Sequence, residues 1–342
     1  MKRIVLACDG TWSRRDQAEP TNVVRLSEQV ADRDADGVEQ LVHYQAGVGT
    51  RFGERVLGGL FGYGLSREVL EAYAFVVDHF EPDDELWFAG FSRGAYTARS
   101  CVGLIRNAGV LRREHRDKLD AAMDLYRDAR PSRHPRGGVA EAFRAAYSHE
   151  TRIRFVGVWD TVGSLGVPRV GPRWLDFLNQ RWSFHDTELT SRVDVGCQAL
   201  AVDERRRPFE PTVWSPRSEE LEQRVEQVWL AGSHSDVGGG YADRELADLG
   251  YWWLAERAAD AGLALEPPPG PLDPAWTLGR LHDSRTGFFR LLPARTRPIG
   301  AVDPDTESLA STVLERRDAP GVDYDPANVT TYLDRDGAVT RL

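Results

Sequence analysis

The sequence predicts an α/β fold: a mostly parallel central sheet with helices on both faces and long loop or lid insertions. Two observations predict it. Short apolar runs alternate with amphipathic stretches of helical spacing, and polar or glycine-rich residues follow the ends of the apolar runs. Because ligands of such sheets bind beyond the carboxyl ends of the strands, the residues after each run are the candidates for chemistry.

Five short apolar runs are predicted to be strands, since each has the length of a buried strand and ends at a turn signal. They are residues 4–8, 41–45, 85–89, 153–159 and 225–231. Helices are predicted where apolar residues recur at helical spacing and a capping residue precedes them. They are residues 23–31 capped by Thr21 or Asn22, 66–80 capped by Ser66, 94–106, 195–202 and 246–261.

A single catalytic domain is expected over residues 1–300, because 342 residues give room for one large domain. Its predicted loop or lid insertions lie at about 47–64, 112–148 and 163–192. Five prolines between 266 and 274 separate the last predicted helix from a tail rich in Arg, Asp and Pro. We expect residues 301–342 to be a C-terminal extension packed on the same domain.

The composition argues against several classes of protein. With 43 Lys and Arg against 53 Asp and Glu, the net charge of −10 repels nucleic-acid phosphate, so no nucleic-acid partner is expected. Cys8, Cys101 and Cys197 have no CxxC spacing, which predicts neither a disulfide framework nor a thiolate metal site. No apolar run approaches the about 20 residues that span a bilayer. The N-terminal run is also too short for a signal peptide, so we expect a cytoplasmic protein without metal or cofactor, with signal-independent secretion left open.

Gly90-Phe91-Ser92-Arg93-Gly94 lies between a predicted strand and a predicted helix and has the GxSxG pattern of the nucleophile elbow in α/β-hydrolases. A serine in such a strained turn needs neighbours without Cβ atoms, so that strand and helix approach closely and its hydroxyl stands clear. The simpler interpretation is a glycine-rich turn in which Ser92 only caps the helix. We expect Ser92 to be a catalytic nucleophile.

A serine hydroxyl needs a base to take its proton and a carboxylate to orient that base. His234 follows the strand at 225–231 and is the predicted base. Asp160 follows the strand at 153–159 and is the predicted acid. Both would then lie above Ser92 at one edge of the sheet.

Other residues remain alternatives for these two roles. His282 is the alternative base. The commonest version of the fold places the acid after the second strand beyond the elbow, whereas Asp160 follows the first. Asp203 and Asp236 therefore stay alternative acids.

The predicted oxyanion hole consists of Gly10, Thr11 and Arg93. In this fold one backbone N–H comes from the residue after the serine and another from the loop after an earlier strand. The first predicted strand ends at Cys8, so its following loop supplies that donor. Each such N–H stabilises the developing oxyanion by on the order of 3 kcal/mol.

Two further patterns indicate other chemistry. Asp9-Gly10-Thr11 is similar to the DxDGT motif of aspartyl-phosphate phosphatases, but Ala7 stands where the phosphoryl-accepting aspartate would be. Asp203, Glu204 and Asp236 could hold a hard cation such as Ca²⁺. Solvated or salt-bridged acids next to the arginines at 205–207 explain them better.

Several ordered blocks together resemble one known family. They are CDGTW at 8–12, GFSRGAYTAR at 90–99, FVGVWDTVGSLG at 155–166, ALAVDERR at 199–206 and WLAGSHSDVGGGY at 229–241. The sequence resembles the DUF2235 family, the α/β-hydrolase catalytic domain shared with Tle1-type phospholipase effectors of type VI secretion. The resemblance implies a triad of Ser92, Asp160 and His234 and a membrane glycerophospholipid substrate.

The predicted function is a serine hydrolase that cleaves carboxylic esters, in particular lipid or phospholipid acyl esters, through an acyl-enzyme. Its expected partner is a small-molecule or lipid ester, with transient contact to a membrane. A thioesterase or amidase would use the same triad. A protein of this fold that binds ligands without catalysis is the alternative from a different class.

Overall fold

The computed structural model describes residues 1–10, 13–47, 60–128, 130–162, 189–215, 222–291 and 293–342. Its strands in chain order are β1 (Arg3–Cys8), β2 (Gln40–Gln45), β3 (Glu85–Phe91), β4 (Val110–Leu111), β5 (Ser148–His149), β6 (Ile153–Trp159), β7 (Val193–Ala201), β8 (Arg224–Leu230), β9 (Glu307–Ala310) and β10 (Val339–Thr340). Its α-helices are α1 (Asn22–Gln29), α2 (Leu60–His79), α3 (Arg93–Ala108), α4 (Leu119–Arg127), α5 (Gly138–Tyr147), α6 (His234–Gly238), α7 (Glu245–Asp260), α8 (Ser311–Asp318) and α9 (Ala327–Leu333).

Eight of the strands in these ranges form one parallel sheet in the order β10-β9-β8-β7-β6-β3-β1-β2. The short strands β4 and β5 pair separately and antiparallel. This arrangement confirms the predicted mostly parallel sheet of an α/β-hydrolase-like fold. Because all eight strands run in one direction, the residues that follow β1, β3, β6 and β8 meet at one edge.

The sheet separates two hydrophobic cores, because the side chains of a buried parallel strand alternate between its two faces. In β1, Ile4, Leu6 and Cys8 join one core and Val5 and Ala7 join the other. The first core contains apolar residues of α2, α3 and α4, and the second contains residues of α1, α7 and α8. Helices therefore cover both faces of the sheet, as predicted.

The segment predicted as a helix over 195–202 is instead the central strand β7, between β6 and β8. Its residues from Gly196 to Ala201 are buried, so its apolar run shows no alternation that would distinguish a strand from a helix. The correction matters for the site, because Asp203 now follows the second strand beyond the serine. Asp160 still follows the first.

Two of the predicted insertions differ from a simple loop. Helix α2 begins at Leu60, inside the predicted loop 47–64, so Ser66 lies within the helix and does not cap it. The insertion at 112–148 contains α4 and α5, and buried residues of α4 such as Met123 pack in the core beside α3. Most of the third predicted insertion, residues 163–188, lies outside the described residues.

Residues 301–342 pair with the central sheet and pack on its core. They contain β9, which pairs with β8, and β10, which pairs with β9, so they complete one side of the central sheet. Val313 of α8 and Val329 of α9 are fully buried in the core. The sequence boundary at 300 therefore divides a single sheet.

Cys8, Cys101 and Cys197 are free and buried, and burial raises the pKa of each thiol. Among the helices within the described residues, none combines the length and the apolar character that crossing a membrane requires.

Candidate active site

Ser92 occupies a sharp turn between β3 and α3. Its backbone angles are φ 58° and ψ −122°, a conformation that non-glycine residues rarely adopt. Its side chain makes no capping hydrogen bond to α3, so the simpler interpretation of Ser92 as a helix cap does not describe this turn. Backbone strain of this kind persists where the surrounding structure enforces it, and it is concentrated at functional sites.

The two glycines of the turn are required by close packing. A Cβ atom on Gly94 would lie 2.1 Å from the carbonyl oxygen of Cys8, and one on Gly90 would lie 2.7 Å from the Cα atom of Ala95. Both distances are far below a van der Waals contact with backbone atoms, which cannot move aside. The GxSxG pattern is therefore the sequence that lets β1, β3 and α3 meet at Ser92.

His234 and Asp160 form a buried pair at the same edge of the sheet. The Nδ1 atom of His234 lies 2.5 Å from Oδ2 of Asp160. Since a carboxylate only accepts hydrogen bonds, this contact assigns the proton of the neutral ring to Nδ1 and leaves Nε2 as the basic nitrogen. Asp160 is fully buried and His234 is 4% exposed, so little water competes for the bond.

The carboxylate of Asp160 has two further groups of donors. Arg297 donates from Nη1 to Oδ1 over 2.6 Å and from Nη2 to Oδ2 over 3.0 Å. The backbone N–H of Ala201 donates to Oδ1 over 3.1 Å. Burial alone would raise the pKa of Asp160, but the charge of Arg297 and the hydrogen bonds from His234 and Arg297 outweigh it and hold this pKa well below its usual range.

Ser92 is linked to this pair through its neighbours. Its backbone N–H donates to the carbonyl oxygen of Trp159, the residue before Asp160, over 3.1 Å. The ring of Phe91, the residue before Ser92, lies 4.6 Å from the His234 ring between centroids. The ring of Phe209 also contacts the His234 ring, in a T-shaped arrangement with 5.0 Å between centroids. The structure thus gathers the elbow, Asp160 and His234 at one place.

The predicted oxyanion residues have different surroundings. Arg93 is the first residue of α3, and the N–H groups of a helix's first turn point out of the helix end. Gly10 lies beside Ser92, since a Cβ on Gly10 would be 3.3 Å from the Ser92 Cβ. However, the Gly10 N–H donates to Oδ1 of Asp9 over 2.7 Å, so it is already engaged. Thr11 lies outside the described residues.

Asp9 organises the loop after β1. Its Oδ2 accepts hydrogen bonds from Thr21 Oγ1 over 2.8 Å and from the Tyr44 hydroxyl over 2.7 Å. Burial raises the pKa of Asp9, and these hydrogen bonds with that of Gly10 oppose the rise. The aspartate of CDGTW therefore fixes the loop by hydrogen bonds to its neighbours.

The alternative acids and base contact other groups. Asp203 accepts hydrogen bonds from the Gly232 N–H over 2.8 Å and from the Tyr324 hydroxyl over 2.9 Å. Asp236 lies 2.6 Å from Nδ1 of His282 through Oδ1, so these two form a second His–Asp pair. In the described structure, neither Asp203 nor Asp236 is the carboxylate on the His234 ring.

The acidic residues considered for a cation are engaged by protein donors. Both oxygens of Glu204 contact Arg206, with Nη2 at 2.8 Å from Oε2 and Nε at 2.9 Å from Oε1. Burial would raise the pKa of Glu204, but Arg206 outweighs it and lowers it. Among the residues that the structure describes, no group of three or more His, Cys, Asp or Glu could hold a metal ion.

Sequence reasoning missed several residues of the site. Arg297 lies in the polar tail, where no motif connects it to Asp160, and Phe209 belongs to none of the predicted motifs. Arg297 and Phe209 also line a surface cleft. Trp229, Val213 and Val302 are among its apolar lining residues, and Arg207 and Arg295 are among its charged ones.

The parallel sheet, the strained elbow serine and the His–Asp pair at the strand ends define the class: this is a domain with the α/β-hydrolase fold. Over residues 2–257 the chain matches the family described as "T6SS, Phospholipase effector Tle1-like, catalytic domain". The chain belongs to this family, which groups it with hydrolases of the lipase and esterase type.

One curated relative is similar to part of the chain. The chain is 28% identical over 237 residues to the uncharacterized protein YEL023C of Saccharomyces cerevisiae, which covers 63% of this chain and 33% of the yeast protein. The chain thus spans about a third of the length of this curated relative.

Two solved structures are also similar. An uncharacterized protein from Pseudomonas aeruginosa is 16% identical with a TM-score of 0.47, covering 77% of this chain and 46% of that one. The Tle1 effector bound to the VgrG spike of the type 6 secretion system is 19% identical with a TM-score of 0.38, covering 70% and 51%.

Proposed function

We propose that this domain is a serine hydrolase of carboxylic acyl esters, with Ser92 as nucleophile, His234 as general base and Asp160 as the acid that orients it. The observation that carries the proposal is the pairing of a serine in a strained elbow with a buried His–Asp pair, 2.5 Å between Nδ1 and Oδ2, at the same sheet edge. Neither feature stabilises the fold by itself. The elbow is strained, and the desolvation of the buried Asp160 carboxylate has to be offset by Arg297.

The proposed reaction proceeds in two halves. His234 Nε2 takes the proton of the Ser92 hydroxyl as Oγ attacks the ester carbonyl carbon, and the tetrahedral intermediate forms. The same proton then goes to the leaving alcohol as the C–O bond breaks, which leaves the acyl group on Ser92. Water then attacks that acyl group while His234 takes its proton. His234 returns the proton to Ser92 Oγ as the acyl C–Oγ bond breaks, which releases the carboxylic acid and restores Ser92.

Asp160 and Arg297 act on the first step through the imidazole. The carboxylate keeps the proton on Nδ1 and stabilises the imidazolium that forms when Nε2 takes up a proton. Because Arg297 lowers the pKa of Asp160, the acid stays ionised throughout the reaction. This supports an orienting role for Asp160 and argues against a proton moving to it.

The oxyanion of the intermediate is proposed to bind the Arg93 N–H, the residue after the nucleophile. The second donor is proposed to come from the loop after β1. In that loop the Gly10 N–H is engaged by Oδ1 of Asp9 over 2.7 Å. Each donor would contribute on the order of 3 kcal/mol to the transition state.

The substrate class is proposed from the family, whose description names a phospholipase effector. We infer that an acyl ester of a lipid is the substrate, reached by transient contact with a membrane.

The test is turnover on a panel of acyl esters and phospholipids. The wild type should release fatty acid, Ser92→Ala should release about 10⁴-fold less, and Ser100→Ala, a substitution of a buried serine within α3, should stay near the wild type. Selective turnover of thioesters or amides would change the substrate class. No turnover by the folded wild type on any acyl compound would favour a binding protein.

A further inference from the structure

The backbone that carries His234 is held by two buried carboxylates. Asp236 accepts the N–H and the hydroxyl of Ser233 at its Oδ2 atom, each over 2.9 Å. Glu204 accepts the N–H of His234 itself at Oε2, over 3.2 Å. Two consecutive amides, those of Ser233 and His234, are therefore positioned by side chains that take no part in the proposed reaction.

Both carboxylates are in turn bound by one short segment, residues 282–284. Asp236 receives two hydrogen bonds from His282, one from Nδ1 to Oδ1 over 2.6 Å and one from the backbone N–H to Oδ2 over 3.1 Å. Glu204 receives one from the Ser284 hydroxyl to Oε1, over 2.9 Å.

The imidazole of His282 is also held on its other sides. The ring of Tyr241 stacks on it with 4.0 Å between centroids, and Nε2 lies 3.4 Å from Oδ2 of Asp243. The His282 side chain is 17% exposed, whereas Asp236 is almost fully buried. His282 therefore fixes Asp236 from the more exposed side, and its own ring is held by Tyr241 and Asp243.

We propose that His282 and Ser284 are positioning residues that fix the imidazole of His234 through Asp236 and Glu204. The proposal rests on the proposed function, since it needs His234 to be the base. The Nε2 atom lies at the far end of the ring from the backbone, so a small rotation of the Ser233–His234 peptide displaces it more than the atoms near Cβ. A displacement of about 1 Å can cost on the order of 10²-fold in rate.

This role explains why the sequence contains a second His–Asp pair near the first. His282 does not replace His234 as base, because its Nδ1 is directed to Asp236 and its ring lies between Tyr241 and Asp243. His282 acts through Asp236 and does not itself touch the reacting atoms. A merely structural residue at this place would affect stability without a selective effect on the chemical step.

The experiment compares His282→Ala with His282→Asn, whose side-chain N–H₂ can take the place of the Nδ1 donor. We expect His282→Ala to lower kcat by about 10- to 100-fold with KM within about twofold, and His282→Asn to recover most of the loss. Ser284→Ala should lower kcat in the same direction and Ser284→Thr should restore it. His79→Ala, a stacked histidine at the end of α2, is the matched control and should leave kcat unchanged.

Two further readouts separate positioning from general stability. In a His234→Ala background, His282→Ala should cause no further loss of the residual turnover, because its effect passes through His234. The low-field proton signal of the Asp160–His234 hydrogen bond should broaden in His282→Ala and return in His282→Asn.

Several results would overturn the proposal. Wild-type kcat in both His282→Ala and Ser284→Ala, equal losses in His282→Ala and His282→Asn, or a full additional loss in the His234→Ala background would each do so. If Ser92→Ala abolishes turnover in the same assays, such a result overturns this proposal alone. Full turnover in Ser92→Ala would overturn the proposed function, and this inference with it.

Discussion

Arg297 donates to both carboxylate oxygens of Asp160, over 2.6 Å and 3.0 Å, although 137 residues separate them in the chain. The pair is almost fully buried, with side-chain exposures of 4% and 0%. Arg297 also donates from Nη1 to the carbonyl oxygen of Ala201, over 2.8 Å, at the end of β7. One residue of the C-terminal region thus neutralises the acid of the proposed triad and ties it to the sheet.

Replacing this arginine should destabilise the protein strongly. Arg297→Met keeps much of the side-chain volume but leaves the Asp160 carboxylate without its buried cation. We expect the free energy of unfolding at pH 7 to fall by about 3–5 kcal/mol, measured by urea denaturation. Arg295→Met, two residues away and paired with Glu210 at the surface, is the control and should change it by less than about 1 kcal/mol.

The pH dependence of that loss has a definite sign. A carboxyl group whose folded pKa is lowered contributes stability above its unfolded pKa, about 3.9, and this stability is lost as the pH falls through the folded pKa. Without Arg297 the pKa of Asp160 is lowered less. The free energies of unfolding of the wild type and Arg297→Met should therefore differ most above about pH 5 and less at pH 4. A difference that grew on acidification would contradict the assignment of the low pKa to this pair.

His234 should behave as part of one unit with Ser92. His234→Ala should lower turnover about as much as Ser92→Ala, and the double variant should be hardly worse, because residues that act together in catalysis have non-additive effects. His282→Ala should cost much less than either. If the order of the two histidine variants were reversed, the role of base would move to His282, and Asp236 would be the acid to test.

Gly238 is a test of the packing around the base. A Cβ atom there would lie 2.0 Å from Cε2 of Phe91, whose ring contacts His234. Gly238→Ala should therefore displace that ring, destabilise the protein by about 1–3 kcal/mol and lower turnover. Gly138→Ala, at the start of α5 with open space around it, should be neutral or slightly stabilising. Equal thermal stability and turnover in the two variants would show that Phe91 is free to move.

An apolar acyl-binding site should make longer esters better substrates. Each buried methylene contributes about 0.8 kcal/mol, so kcat/KM should rise steeply from acetyl to octanoyl esters. This prediction rests on the proposed lipid substrate class. Highest efficiency on acetyl esters would indicate a small-ester or deacetylase substrate instead.

Much of the site's frame could be predicted because it depends on local sequence. The run 153–159 coincides with β6, and the glycines at 90 and 94 reflect contacts that exclude any larger residue. Thr21 caps α1 as expected, with its side chain accepting from the Val24 N–H. These features are specified by a few consecutive residues.

The parts that were missed depend on residues far apart in the chain. Strand β7 could not be distinguished from a helix because its apolar run is buried on both faces. The four residues of β9 are too few to show a pattern, and they pair only because β8 offers an edge. Arg297 and His282 bear on the site through carboxylates that precede them by 137 and 46 residues, which no local motif reveals.

The central claim is that Ser92 is an activated nucleophile, and covalent labelling tests it most directly. The folded wild type is treated with a fluorophosphonate probe, digested and analysed by peptide mass spectrometry, with Ser92→Ala and Ser100→Ala in parallel. We predict one labelled site, at Ser92, lost in Ser92→Ala and kept in Ser100→Ala. Absence of label on the folded wild type, or label on another residue that persists in Ser92→Ala, would contradict the claim.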